Sequence, residues 1–131
     1  MPSCVRVFFL TFWLLSVILI CNVMAYSASS VNDPFVPDQW GWLRIQCDMA
    51  YDTGFRGLGV IVATLDTGVD TTHPDLQDNL ISGYNFVDKN DDVTDLDGHG
   101  TMVAGIIAAM ANNGIGIAGA APEVKIMPLK C

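Results

Sequence analysis

Basic side chains are scarce. Six Lys and Arg stand against fourteen Asp and Glu, a formal net charge of −8 at pH 7. That balance argues against a nucleic-acid partner, because holding a phosphate backbone takes clustered Lys and Arg. It is compatible with cation binding. Histidine is scarcer still, at positions 73 and 99 alone. No His-x-x-x-His or comparable spacing occurs, so nothing supports a metal-dependent hydrolase built on His73, His99 and aspartates. Cys4 and Cys21 fall in or beside an N-terminal apolar run, leaving Cys47 and Cys131. An exported pair can form a disulfide, but the sequence does not give their distance. Internal repeats and low-complexity tracts are absent, and 131 residues make one domain at most.

Charge is missing altogether from Val7 to Ala25, directly after Arg6. A short basic start, an apolar run and small residues are the layout of a secretory signal peptide over residues 1–25. Val23-Met24-Ala25 places cleavage before Tyr26, with Ala25-Tyr26-Ser27 as the alternative site. An uncleaved anchor is the competing reading, since the run is near the roughly 18 apolar residues that suggest a spanning helix. Either way residues 26–131 face an exported compartment, without stable membrane association once the leader is removed. They carry five basic side chains (Arg44, Arg56, Lys89, Lys125, Lys130) against all fourteen acids.

The stretch Gly59 to Asp70, GVIVATLDTGVD, organises the rest. Its β-branched run from Val60 to Leu65 predicts a fully buried parallel strand. Asp66 ends the run, followed by a Thr-Gly turn. Open parallel sheets place their chemistry beyond the carboxyl ends of the strands, and a charge there needs a partner. Upstream, Trp40 to Tyr51 has helical apolar spacing, with Gly54 as a stop. Downstream come a loop with His73-Pro74-Asp75, an extended segment over Ile81 to Val87, and an acidic loop from Asp88 to Asp97. Gly98-His99-Gly100-Thr101 then opens a helix with small packing positions at Ala104, Gly105, Ala108 and Ala109. A glycine-rich loop (Asn112 to Ala121) leads to a last strand over Val124 to Leu129, where Pro128 weakens the strand or marks its end. Strand, helix, strand in this order predicts a βαβ unit in an α/β fold. The third strand is expected to leave an open, aggregation-prone edge.

Glycine on both sides of His99 lets its backbone approach another element closely. Thr101 is placed to cap the following helix, whose dipole disfavours a proton on His99. A neutral imidazole there can act as a base. If Asp66 accepts a hydrogen bond from one ring nitrogen, it fixes the tautomer and stabilises the imidazolium. That is the orienter-and-base half of a nucleophilic triad. Taken singly, such an Asp is more often a cap or turn former than catalytic, and such a His more often structural or solvated. His73 reads as a loop packing residue.

Taken together, LDTGVD, HPDL, DGHGTMVAGIIAA and NNGIGIAGAAP resemble the subtilisin-like serine proteases, the subtilases of peptidase family S8. The NDPF segment and the Asn-Asn-Gly-Ile-Gly-Ile loop resemble thermitase-type members in particular. The resemblance runs from about Asn32 onward. It implies that residues 26–131 are the N-terminal part of a catalytic domain, with a subtilisin-like parallel sheet and flanking helices. It further implies a secreted endopeptidase acting on proteins or peptides, with Asp66 as orienting acid and His99 as general base. A structural calcium site is implied too, with side-chain ligands Asp33, Asp75 and Asn113 and main-chain oxygens of Met110, Ile115 and Ile117. Before the resemblance is considered, Asp33 and Asp75 read better as turn residues beside prolines than as ligands. The acidic loop at 88–97 is either a second cation site or solvated charge.

Three departures from the family accompany these matches. Met102 stands where His is usual. No pro-segment separates the leader from NDPF. The nucleophilic serine, the oxyanion asparagine and the substrate-binding strands lie downstream in the family, and Ser3, Ser16, Ser27, Ser29, Ser30 and Ser82 match none of its functional serines. Loss of the nucleophile costs subtilisin about 10⁶ in turnover, so this polypeptide alone is expected to be inactive. Other readings stay open. Asp66-Thr67-Gly68 is also an aspartic-protease signature, although the GHGT helix start has no place in that fold. A catalytically inactive, secreted subtilase-like remnant that binds calcium or peptide is the other.

Overall fold

The computed structural model describes residues 31–131. The leader assignment for residues 1–25 and both cleavage sites lie outside the described residues. Strand β1 spans Ile61–Asp66, β2 Tyr84–Asn85 and β3 Lys125–Lys130; helices α1, α2 and α3 span Trp40–Arg44, Cys47–Asp52 and His99–Ala108. The strands form one parallel sheet in the order β1-β3-β2. Ile61 pairs with Lys125 and Asp66 with Lys130. Helix α3 follows β2, precedes β3 and packs on β1 and β3. The βαβ expectation therefore holds. The open edge does not fall at the third strand, because β3 is central; among the described residues β1 and β2 are the two edges.

Pro128 sits inside that central strand. Ile81 N–H donates to Ile126 O, and Phe86 N–H donates to Lys130 O. The even-numbered residues of β3 thus face β2. The N–H that Pro128 lacks falls opposite the gap between those two bonds, beside the two-residue β2, so the strand continues through it.

The sheet is covered on one face among the described residues. Thr64 is buried and Val62 partly so, on the side where Val69, Leu76, Val93, Ala104, Ala108, Val124 and Ile126 form the core. On the other face Ile61 and Leu65 are 60% and 69% exposed. This corrects the expectation of a fully buried strand: β-branched composition signals a parallel strand with two apolar faces, but only α3's side of the sheet supplies a cover. Ala104, Gly105, Ala108 and Ala109 are buried as their size suggests. They admit the 118–121 segment, which donates N–H groups to the last helical carbonyls: Gly119 to Ala109, Ala120 to Ile106 and Ala121 to Ile107. Those carbonyls have no partner inside the helix.

A second cluster packs Val36, Trp42, Cys47, Tyr51 and Ala118. Trp42 Nε1 and the Tyr51 hydroxyl both donate to Gly119 O. The single helix expected over Trp40 to Tyr51 is broken at Ile45–Gln46, where Gln46 takes a φ of 62°. The break gives two short helices that turn Trp42 and Tyr51 edge to face, with ring centroids 5.2 Å apart. Gly54 ends the second, as expected, at a φ of 84°. Cys47 is buried, Cys131 is exposed, and both are free thiols. No helix of the described residues is long and apolar enough to cross a membrane.

Candidate active site

Asp66 ends β1, and His99 opens α3. Their side chains meet: His99 Nδ1 lies 2.7 Å from Asp66 Oδ1. The approach depends on the residue after the histidine. A Cβ at Gly100 would stand 2.2 Å from Gly68 O and 3.1 Å from Asp66 Oδ1, so only glycine lets the helix start this close to the strand end.

The first N–H groups of a helix have no partner within it, and here four side-chain oxygens supply them. Gly98 N–H donates to Asp95 Oδ1 (2.9 Å), His99 N–H to Asp97 Oδ1 (3.3 Å), Gly100 N–H to Thr67 Oγ1 (2.9 Å) and Thr101 N–H to Asp95 Oδ2 (2.8 Å). Thr101 is therefore not the cap that its position suggested; it lies within the helix. Its hydroxyl donates to Asp95 Oδ2 and accepts from Asp70 N–H.

The electrostatics of the pair are reciprocal. The hydrogen bond from His99, then that from Thr67 N–H, lowers the Asp66 pKa below the usual carboxylate value. The hydrogen bond to Asp66, then its charge, raises the His99 pKa above the usual imidazole value, with smaller help from Asp97 and Asp95. The expectation that the helix dipole would favour the neutral ring is thus reversed. A half-charge at the helix end is outweighed by a full carboxylate charge in direct contact. Because ionised Asp66 only accepts, Nδ1 carries the proton, and the lone pair of the neutral ring falls on Nε2. The His99 side chain is 60% exposed, leaving that face open to a reactant. Such a pair can orient an imidazole and accept a proton.

The six residues of the implied calcium site also converge. Asp33 and Asp75 are each 2% exposed. Asp33 accepts N–H bonds from Asn112, Asn113 and Gly114. Asp75 accepts from Asn113 Nδ2 (2.7 Å) and Ile117 N–H (3.3 Å), while its own carbonyl accepts from Met110 N–H. Ile115 N–H donates to Asn113 Oδ1. A Cβ at Gly116, where φ is 55°, would lie 2.5 Å from Asp75 Oδ2, so the loop wraps this carboxylate closely. Two buried carboxylates thus share Asn113, and neither has an ion pair among the described residues. Carboxylate and amide oxygens are donors of the kind a hard cation takes. Among the described residues no three His, Cys, Asp or Glu side chains group to hold a metal.

The acidic loop is internally bonded. Asn85, 1% exposed, donates to Asp88 and Asp92 O and accepts from Val87 and Asp88 N–H. His73 Nδ1 accepts from Asp75 N–H, a local packing contact. Met102 is 61% exposed and lines a groove of about 630 Å³ with His73, Ile106 and Ile117; neither Asp66 nor His99 lines it.

The sequence profile of the subtilase family, peptidase S8, matches residues 57–131, more than half of the chain. The chain belongs to the subtilase family. The thermophilic serine proteinase of Bacillus sp. (strain AK1) is 44% identical over 83% of this chain and 27% of its own length. Thermitase of Thermoactinomyces vulgaris is 42% identical over 76% of this chain and 36% of its own. Among solved structures, a protease from Pseudoalteromonas arctica superposes with a TM-score of 0.70 at 34% identity, over 78% of this chain and 39% of that one. Fervidolysin from Fervidobacterium pennivorans, a keratinolytic enzyme related to subtilisin, gives 0.68 at 36% identity, over 82% and 16%. The fold is therefore subtilisin-like, and the chain spans about a quarter to a third of the length of these two curated relatives.

Asp95 and Thr67 are site residues that motif reading passed over. The signal present was an Asp three residues before Gly98, in reach of the next free N–H groups, hidden among five aspartates of one loop.

The two pKa shifts set a pH window. Raised in the folded state, His99 contributes stability below its ordinary value of 6.5, which is lost as pH rises through the raised value. Lowered, Asp66 contributes above its ordinary value of 3.8, which is lost as pH falls through the lowered value. The difference in urea midpoint between wild type and His99→Ala is expected to be greatest between those two ordinary values and to shrink on either side. A pH-independent difference would contradict the pairing.

Proposed function

We propose that this subtilase chain supplies the acid and base of a secreted serine endopeptidase. In this reading Asp66 orients His99, and His99 Nε2 takes the proton from a serine hydroxyl as it attacks a peptide carbonyl. The imidazolium so formed is stabilised by Asp66, then returns its proton to the leaving amine. The 2.7 Å bond between His99 Nδ1 and Asp66 Oδ1 carries the proposal. It leaves Nε2 as the accepting nitrogen, on an exposed ring. Because the pKa of His99 is raised, the fraction of neutral base grows with pH, and so does the rate. Substrates are proteins or peptides, and the charge-free run after Arg6 supports export.

The test joins residues 31–131 to the serine-bearing remainder of the Bacillus AK1 proteinase. The chimera is expected to react with a fluorophosphonate probe, and His99→Ala to lose labelling, with turnover falling by about 10⁶ as in subtilisin. Full labelling of the His99→Ala form would overturn the assignment. A folded chimera that never labels would instead support a non-catalytic remnant.

Calcium is proposed as a structural ion held by Asp33, Asp75 and Asn113 with main-chain oxygens of Met110, Ile115 and Ile117. The support is the pair of buried carboxylates without a cationic partner among the described residues. Bound there, the ion would neutralise both and tie the N-terminal segment to the 110–117 loop. Asn113 now turns its amide nitrogen to Asp75; a ligand role requires the oxygen instead. A chelator is expected to lower the thermal midpoint of the wild type more than that of Asp75→Ala. Equal shifts would rule this site out.

A further inference from the structure

We propose that Asp95 is the positioning residue of the Asp66–His99 pair, a single carboxylate that braces the end of β1 against the first turn of α3. This rests on the reading of that pair as orienter and base.

Five donors converge on Asp95. Oδ1 accepts from the Thr67 hydroxyl (2.9 Å), Gly98 N–H (2.9 Å) and Asp97 N–H (3.0 Å). Oδ2 accepts from Thr101 N–H (2.8 Å) and the Thr101 hydroxyl (2.6 Å). Each hydroxyl then reaches across to the opposite element. Thr67, at the strand end, accepts from Gly100 N–H of the helix; Thr101, in the helix, accepts from Asp70 N–H just past the strand. A hydroxyl has one proton and two lone pairs, so donating to Asp95 fixes the direction of its second bond. Thr67 is also 3.3 Å from Asp66 Oδ1, but its one proton favours the shorter contact. The result is a crossed pair of braces with Asp95 at the centre. Asp66 and Thr67 are adjacent on one side, and His99 lies between Gly98 and Gly100 on the other. Rotation of the helix start away from the strand would break both braces.

The chemistry requires a carboxylate. An amide at this position has one accepting oxygen, and its NH₂ would face either two or three donors. Partial burial pushes the Asp95 pKa up, yet bonds from the Thr101 hydroxyl, Gly98 and Thr101 N–H and the Thr67 hydroxyl outweigh it, holding the carboxyl well below the usual range. The brace therefore stays charged at any pH at which His99 titrates.

The charges that act on His99 are Asp66 from the strand and Asp97 and Asp95 from the loop. Removing Asp95 changes charge as well as geometry, so the test includes variants that keep every charge. In the full chain, the imidazole titration of His99 is followed by NMR in wild type, Asp66→Asn, Asp95→Asn, Thr67→Val and Thr101→Val. Amide spectra report retention of the fold. His99 is expected to titrate above the ordinary imidazole range in wild type and to move down toward it in all four variants. A downward shift in Asp95→Asn alone among the three brace variants would reduce Asp95 to a distant charge and overturn the proposal. If Asp95→Asn does not fold, the two valine variants decide: unshifted His99 in both overturns the proposal. An unshifted His99 in Asp66→Asn would instead overturn the underlying pair.

Discussion

The site depends on one close approach. The backbone at Gly100 comes so near Gly68 O that a Cβ would stand 2.2 Å from it. That contact sets the first turn of α3 directly against the end of β1 and leaves the carboxylate and imidazole no separation beyond a hydrogen bond. The fold serves this approach from both sides. Parallel pairing of β1 with β3 fixes where the strand ends. The small residues of α3 let the helix lie close to the sheet, and the 118–121 segment closes its far end. At the near end, oxygens from Asp95, Asp97 and Thr67 answer the helical N–H groups, so the helix start is bonded rather than merely packed. A partly buried polar network of this kind is specific because its bonds depend on one another.

Much of this was legible in the sequence because the residues concerned have few conformational options. The β-branched run to Asp66, the glycines around His99 and the alanine-rich helix each point to one local structure, and their order gives the βαβ arrangement. What was not legible depends on tertiary choices. Asp88, Asp91, Asp92, Asp95 and Asp97 look alike along the chain; only the fold turns Asp95 inward. Trp40 to Tyr51 has helical spacing, yet pairing two aromatic side chains at Gly119 O breaks the helix at Gln46. The composition of β1 announces two apolar faces but cannot say what covers the one carrying Ile61 and Leu65.

The pKa of His99 shows how magnitudes decide between opposing effects. A helix N-terminus and a carboxylate act on the same ring with opposite sign. The sequence offered both without their distances. At 2.7 Å the carboxylate prevails, and the ring becomes a better proton acceptor than a free imidazole. That direction is the one a general base needs when its partner must stabilise the protonated form. The buried Asp33 and Asp75 illustrate the converse. Their charge is answered by N–H dipoles and, among the described residues, not by a cationic side chain.

The most direct measurement of the central claim is the His99 Nδ1–H proton itself, observed by NMR in the full chain. The account predicts a strongly deshielded resonance that couples to the ring nitrogen of His99 and disappears in Asp66→Asn while the fold is retained. No such resonance in the wild type, or one that persists unchanged in Asp66→Asn, would contradict it.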